Sequence, residues 1–200
     1  MELKQNLIHR KYTKCEAKNQ ITLGDDYSVP DGKPDIASVL QKKAELQVDE
    51  VRTEKGKIKL RGNLKVCVLY LAQRSLEVLN CLEMEFPFDE VLYMEEAASG
   101  DNLKIDWNIE DLRVTVVHPG KISVRAVVTL FGEIMAAESF LATEAMEDSE
   151  NIYTKTGTFT MAEPIIERRD SYRIRDEISL PVNKANIQKI LWKDLQLRGL

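Results

Sequence analysis

From Ile58 to Tyr70 the chain alternates with a period of two. Ile58, Leu60, Gly62, Leu64, Val66, Val68 and Tyr70 fall on even positions, and Lys57, Lys59, Arg61, Asn63 and Lys65 on odd ones. Side chains of a strand point alternately to opposite faces, so this pattern predicts a long strand with one buried and one wet face. After a turn at Ala72-Gln73-Arg74 the alternation resumes with Leu76, Val78, Leu82, Met84 and Phe86, while Glu77, Glu83 and Glu85 take the other parity. The two segments predict an antiparallel hairpin. Its wet face sets Lys59, Arg61 and Lys65 across from Glu77, Glu83 and Glu85, a favourable cross-strand arrangement.

A second hairpin is predicted around His118-Pro119-Gly120, entered by Leu112, Val114 and Val116 and left by Ile122, Val124, Ala126, Val128 and Leu130. Upstream, Ile105, Trp107 and Ile109 occupy the opposite parity, so a β-bulge or break is expected near Glu110-Asp111. Ala44 to Arg52 is a further strand, turning at Glu54-Lys55-Gly56. The acidic run Glu144 to Glu150 reads as a solvated connector, and Asn151 to Thr160 as a Thr-rich β-like stretch. The predicted class is mainly β: an antiparallel β-sandwich or open barrel, with helix confined to short capped turns.

Those helical turns come from an internal repeat. Asp25 to Leu40 recurs 151 positions later as Asp176 to Leu191, with identical residues at Ser28/Ser179, Pro30/Pro181, Lys33/Lys184, Ile36/Ile187 and Leu40/Leu191. In each copy an extended segment ends at proline, which fixes φ and removes a donor. Asp31-Gly32 or Val182-Asn183 then supplies a turn. Asp35 and Asn186 are suited to N-cap a helical run in which Ile36, Val39 and Leu40, or Ile187, Ile190 and Leu191, share one face. The expected organisation is a first β domain over residues 1–150, its core at about 20–140, followed over 151–200 by the start of a second, incomplete unit. Trp192, standing where the first copy has Gln41, is then expected to pack on strands of a missing unit or on another molecule, favouring self-association.

The charge balance, 28 basic against 33 acidic residues for a net charge of -5, argues against a surface made to grip nucleic acid. No apolar run approaches the roughly 20 residues of a membrane-spanning helix, and the N-terminus lacks a signal-peptide pattern, so no membrane insertion and a cytoplasmic location are expected. Three cysteines, Cys15, Cys67 and Cys81, make an odd set that suits a reducing compartment.

No arrangement of residues reads as a catalytic centre, and no cofactor is expected. Asp25, Asp26, Asp31 and Asp35 do not fit the ligand spacing of a Ca²⁺ loop, and turn and cap chemistry accounts for them. Cys67 and Cys81 share one face of the first hairpin and with His118 evoke a Zn²⁺ site or a Cys-His nucleophile. Without Cys-x-x-Cys or His-x-x-x-His spacing, half-buried free thiols are the simpler reading, and no metal is expected. Lys33 and Lys184 read as a partner or phosphate contact, or more plainly as salt-bridge partners of Asp26 and Glu177. Ile165 to Arg169 is a basic step too short and mixed for nucleic acid.

Val29-Pro-Asp-Gly-Lys-Pro-Asp-Ile-Ala-Ser-Val-Leu40, followed by Gly62-Asn-Leu-Lys-Val-Cys-Val-Leu-Tyr70, resembles the SPOCS domain of clostridial spore-coat assembly proteins. Ile174 to Leu197 resembles the start of a second such unit. The resemblance implies a non-enzymatic morphogenetic protein of tandem units, often paired with a C-terminal LysM module. It also implies work on the mother-cell side of the forespore surface, where the partner is the ATPase of the coat basement layer. Interaction residues are then expected in the repeated motif: Pro30, Lys33, Asp35, Ile36 and Leu40, with Pro181, Lys184, Asn186, Ile187, Leu191 and Trp192 in the second copy. The alternatives are a cell-wall or glycan-binding β-sandwich, which clustered exposed aromatics would favour, and a hydrolase, which lacks any paired acid or nucleophile set.

Overall fold

The computed structural model describes residues 2–74, 78–147, 155, 157, 158, 160, 173–177 and 179–194. Among them lie seven strands and no helix: β1 (Glu2–Leu23), β2 (Asp26–Ser28), β3 (Ile36–Glu54), β4 (Lys57–Ala72), β5 (Leu79–Tyr93), β6 (Asn102–His118) and β7 (Lys121–Glu147). All pairings are antiparallel. One sheet has the order β3-β4-β5; in the other, β7 is central, with β6 along one edge and β1 and β2 in succession along the other. The sheets do not close into a barrel.

The period-two pattern produces the core directly. Every even position of β4 from Ile58 to Tyr70 is buried, and Ile122, Val124, Ala126, Val128 and Leu130 are buried along β7. These faces join in one hydrophobic cluster. A Cβ at Gly132 of β7 would lie 3.3 Å from Leu92 Cδ1 and 3.4 Å from Met94 Sδ, so the two sheets come within van der Waals range there. On the wet side, Lys65 meets Glu85 at 3.8 Å, while Arg61 meets Asp89 at 2.7 Å and Lys59 turns to Glu54 at 2.7 Å. Glu83 instead faces Cys67. Leu76 and Glu77 lie outside the described residues.

The second hairpin forms as expected, and the register shift between Ile109 and Asp111 is the bulge that the parity reversal required. Gly56, at φ 76, makes the β3–β4 turn. The acidic run corrects differently. Glu144 to Glu147 still belong to β7, where Ala145 to Glu147 pair with the first residues of β1 and Glu144 is bulged out. Residues 148–150 and most of 151–160 lie outside the described residues.

The capped helical turns are not there. Ile36 to Leu40 begins β3, and residues 185–191 are neither helix nor strand. In the first copy two bulges account for the difference. Ile36 pairs with Ala72 and Ser38 with Leu71, leaving Ala37 unpaired; Val39 pairs with Tyr70 and Gln41 with Leu69, leaving Leu40 unpaired. Each extra residue shifts the facing pattern by one. Inward residues then fall at Ile36 and Val39, a spacing of three that imitates a helical face. Asp35 caps nothing; its carbonyl accepts from the Gln73 amide at 2.7 Å.

The repeated motif is the crossover between sheets. Val29 N donates to Gly120 O (2.9 Å) and Ile36 N to Pro119 O (2.7 Å), tying Val29–Ile36 to the β6–β7 turn. The buried Tyr70 hydroxyl donates to Pro34 O at 3.0 Å, tying it to β4. Replacing Tyr70 by Phe leaves that carbonyl short of a donor, and the expected cost is about 1–2 kcal/mol, read as a lowered urea midpoint at constant m-value.

Candidate functional site

In both copies the Pro-x-x-Lys segment makes the same turn: Lys33 N donates to Pro30 O at 2.8 Å, and Lys184 N to Pro181 O at 2.9 Å. The Asx contact before it also repeats, Asp26 N on Asp25 Oδ1 at 2.7 Å and Glu177 N on Asp176 Oδ1 at 2.8 Å. The repetition is therefore local and conformational. Of the residues singled out in the first copy, Pro30, Lys33, Asp35 and Leu40 are exposed, while Ile36 is core. The expected Lys33–Asp26 ion pair is replaced. Asp26 pairs with Lys121 at 2.8 Å, and the Lys33 ammonium donates to the Cys81 carbonyl at the start of β5. Glu177 stands by Arg175 at 4.0 Å.

The end of the second copy and the residues just after it, 190–194, reach the outer face of the β3-β4-β5 sheet. Leu191 and Trp192 are half-buried there, whereas Pro181, Lys184, Asn186 and Ile187 are exposed. Asp194 bridges to Lys43 at 2.8 Å, and the two are equivalent positions of the repeat. Between Trp192 and the sheet runs an open groove of about 840 Å³, lined also by Lys65, Cys67, Glu83 and Glu85. Trp192 thus faces this chain's own β3-β4-β5 sheet across the groove.

Cys67 and Cys81 meet on that face, their sulfurs 2.9 Å apart. Both are free and half-buried, as is Cys15. Burial and the neighbouring thiol push Cys67 up to about 12, so it is no activated nucleophile. His118 takes no part; its Nδ1 accepts from Gly120 N at 3.2 Å within the hairpin turn.

A second surface carried no signal in the sequence. The register of β6 with β7 starts at Asn102 opposite Met135, yet β7 continues to Glu147 with β1 as its partner back to Glu2. Residues 2–12 and 136–147 form a two-stranded arm, ~40 Å long at about 3.3 Å per residue. Neither strand of the arm has a second strand partner among the described residues. Leu7 and Leu141 stand opposite each other, 51% and 60% exposed. On the other face the Arg10 guanidinium lies 5.7 Å from the Tyr12 ring and 5.8 Å from that of Phe140, and also pairs with Glu138. Both faces are wet, so no parity was written into Glu2 to Lys14. Only the register with β7, set by residues more than a hundred positions away, assembles the arm.

Where the arm leaves the body, Lys14 Nζ meets Asp101 Oδ2 at 2.9 Å, and the same oxygen accepts from Ala98 N at 2.8 Å. Lys14 and that backbone donor hold the Asp101 carboxyl below its ordinary 3.8. Lys121 and Ser123 do the same for Asp26, and Lys59 for Glu54. Folded values below unfolded ones mean that this stabilisation is complete above the unfolded values. It is lost as pH falls through the folded ones. Thermal stability should therefore be flat from about pH 7 to 5 and fall below pH 4. Asp101→Asn should flatten part of that acid fall, as calorimetric melts across pH would register.

Residues 35–117, from the motif's Asp35 through β3, β4, β5 and nearly all of β6, match the family model described as SipL, SPOCS domain. No curated protein and no solved structure matches the chain.

Proposed function

We propose that this chain, whose residues 35–117 match the SPOCS-domain model, is a non-enzymatic interaction module of a spore-coat assembly protein. In this reading it works on the mother-cell side of the forespore surface, and its partner is the ATPase of the coat basement layer. The observation that carries the reading is the β1–β7 arm, whose strands have no further strand partner among the described residues and carry the exposed Leu7 and Leu141. The Val29–Ile36 crossover then has a supporting role: it fixes the body from which the arm projects. The glycan-binding alternative is weaker, because the arm's exposed rings, Tyr12 and Phe140, close on Arg10 instead of presenting an open stacking platform.

A fluorescent fusion followed through sporulation tests this reading. It should gather on the forespore surface from the mother-cell side, and Leu7→Lys with Leu141→Lys should leave it dispersed at unchanged abundance. Uniform fluorescence of the unmodified fusion would contradict the assembly role. Turnover of generic ester, phosphate or glycoside substrates by the purified chain would contradict its non-enzymatic character.

A further inference from the structure

The outer face of the β3-β4-β5 sheet holds a donor set that the interaction reading leaves unused. Cys67 of β4 stands directly opposite Glu83 of β5, and Cys81 lies two residues before Glu83. The period of two therefore puts all three side chains on one face. One ligand atom from each lies within 4.8 Å of the others. The two cysteines are not direct partners, since Cys81 pairs with Leu69. Diagonal neighbours in an antiparallel pair have Cβ atoms roughly 6–7 Å apart, whereas a disulfide needs about 3.5–4.5 Å.

A bridging ion suits the diagonal better. Bonds of about 2.3 Å to sulfur and about 2.0–2.2 Å to a carboxylate oxygen place the donors of a tetrahedral ion roughly 3.5–3.8 Å apart. From sulfurs 2.9 Å apart, side-chain rotation alone covers a separation change of about 1 Å.

We propose that Cys67, Cys81 and Glu83 form a binding site for a thiophilic divalent ion of the Zn²⁺ class. The fourth position opens into the groove beneath Trp192. Two thiolates with a carboxylate are a donor set of the kind such ions select. Binding exchanges two S–H bonds for two sulfur–metal bonds and releases two protons to solvent, with no change of oxidation state. The occupied site carries one net negative charge and lies beside Lys43, in register with Cys67 and itself paired with Asp194. The ion would cross-link β4 and β5 beneath residues 190–193.

The test uses the full 200-residue chain, reduced and freed of metal, with Zn²⁺ itself as the probe in competition with a chromophoric chelator. One equivalent should bind. Cys67→Ser and Cys81→Ser should each weaken binding by at least about 100-fold and Glu83→Gln by about 10-fold, against the 10–100-fold typical of outer-shell losses. Cys15→Ser should change nothing. A second measurement needs no variant: Zn²⁺ should protect Cys67 and Cys81 from alkylation while Cys15 reacts as before, mapped by mass spectrometry. Absence of a bound equivalent, or binding indifferent to the Cys67 and Cys81 substitutions, overturns the proposal. So does a reduced protein that binds no Zn²⁺ yet forms a Cys67–Cys81 disulfide with glutathione disulfide.

Discussion

Gly62→Val is expected to cost roughly 4–5 kcal/mol or more, enough to abolish soluble folded protein. Gly62 lies in the middle of β4 on the buried face. A Cβ there would sit 2.0 Å from the Gln47 carbonyl oxygen and 2.9 Å from two ring carbons of Phe88. The phenyl ring can turn, but the carbonyl belongs to the backbone of β3. It is held close by the register shift between Val48 and Glu50, beside the point where Val48 pairs with Gly62. Relief would need the bulge to be undone, and with it the pairing of β3 and β4. A strand glycine at a bulge commonly marks such a close approach. Gly62→Ala should already be severely destabilising. Gly32→Ala is the control, since a Cβ there meets nothing within 4 Å, and its effect should stay within about 0.5 kcal/mol. Denaturant unfolding of the alanine variants, with soluble yield for valine, reads the contrast.

The second large effect comes from one strand tested at two points. Leu130→Ala and Leu141→Ala remove the same atoms from β7. Leu130 is 0% exposed and belongs to the core, whereas Leu141 is 60% exposed on the arm. The first should lose about 2–5 kcal/mol through lost burial and the cavity left behind. The second should lose no more than about 0.5 kcal/mol. Urea midpoints at equal m-value measure both. Similar costs at the two positions would mean that the arm is packed, which removes the free surface from the account.

How much of this could be read from the chain follows from where burial is one-sided. The body was legible. β4, β5 and the first part of β7 each expose one face and bury the other, and β6 half-buries one, so parity wrote these strands and the bulge at Glu110-Asp111. The start of β3 was not, because bulges at Ala37 and Leu40 converted a strand into an apparent helical face. Asp35 and Leu40 then looked like a cap and a buried position, and they are neither. The arm left no trace, since both its faces are wet. Lys33 could be singled out but not its acceptor, the Cys81 carbonyl across the sheet junction. The shared face of Cys67 and Cys81 was legible from parity. That Glu83 completes the set depends on a register in which Leu69 stands opposite Cys81, fixed by the whole length of β4 against β5.

The central claim is that the chain works by binding a protein partner through the arm, on a body that stays folded. Its most direct test is binding of the purified chain to the purified ATPase of the coat basement layer, by calorimetry or surface capture. The unmodified chain is compared with Leu7→Lys plus Leu141→Lys. The account predicts a saturable complex with the unmodified chain and a loss of at least about 30-fold in affinity, on the order of 2 kcal/mol, in the variant. The variant should melt at the same temperature. No complex with the unmodified chain, or equal affinity with the arm altered, would contradict it.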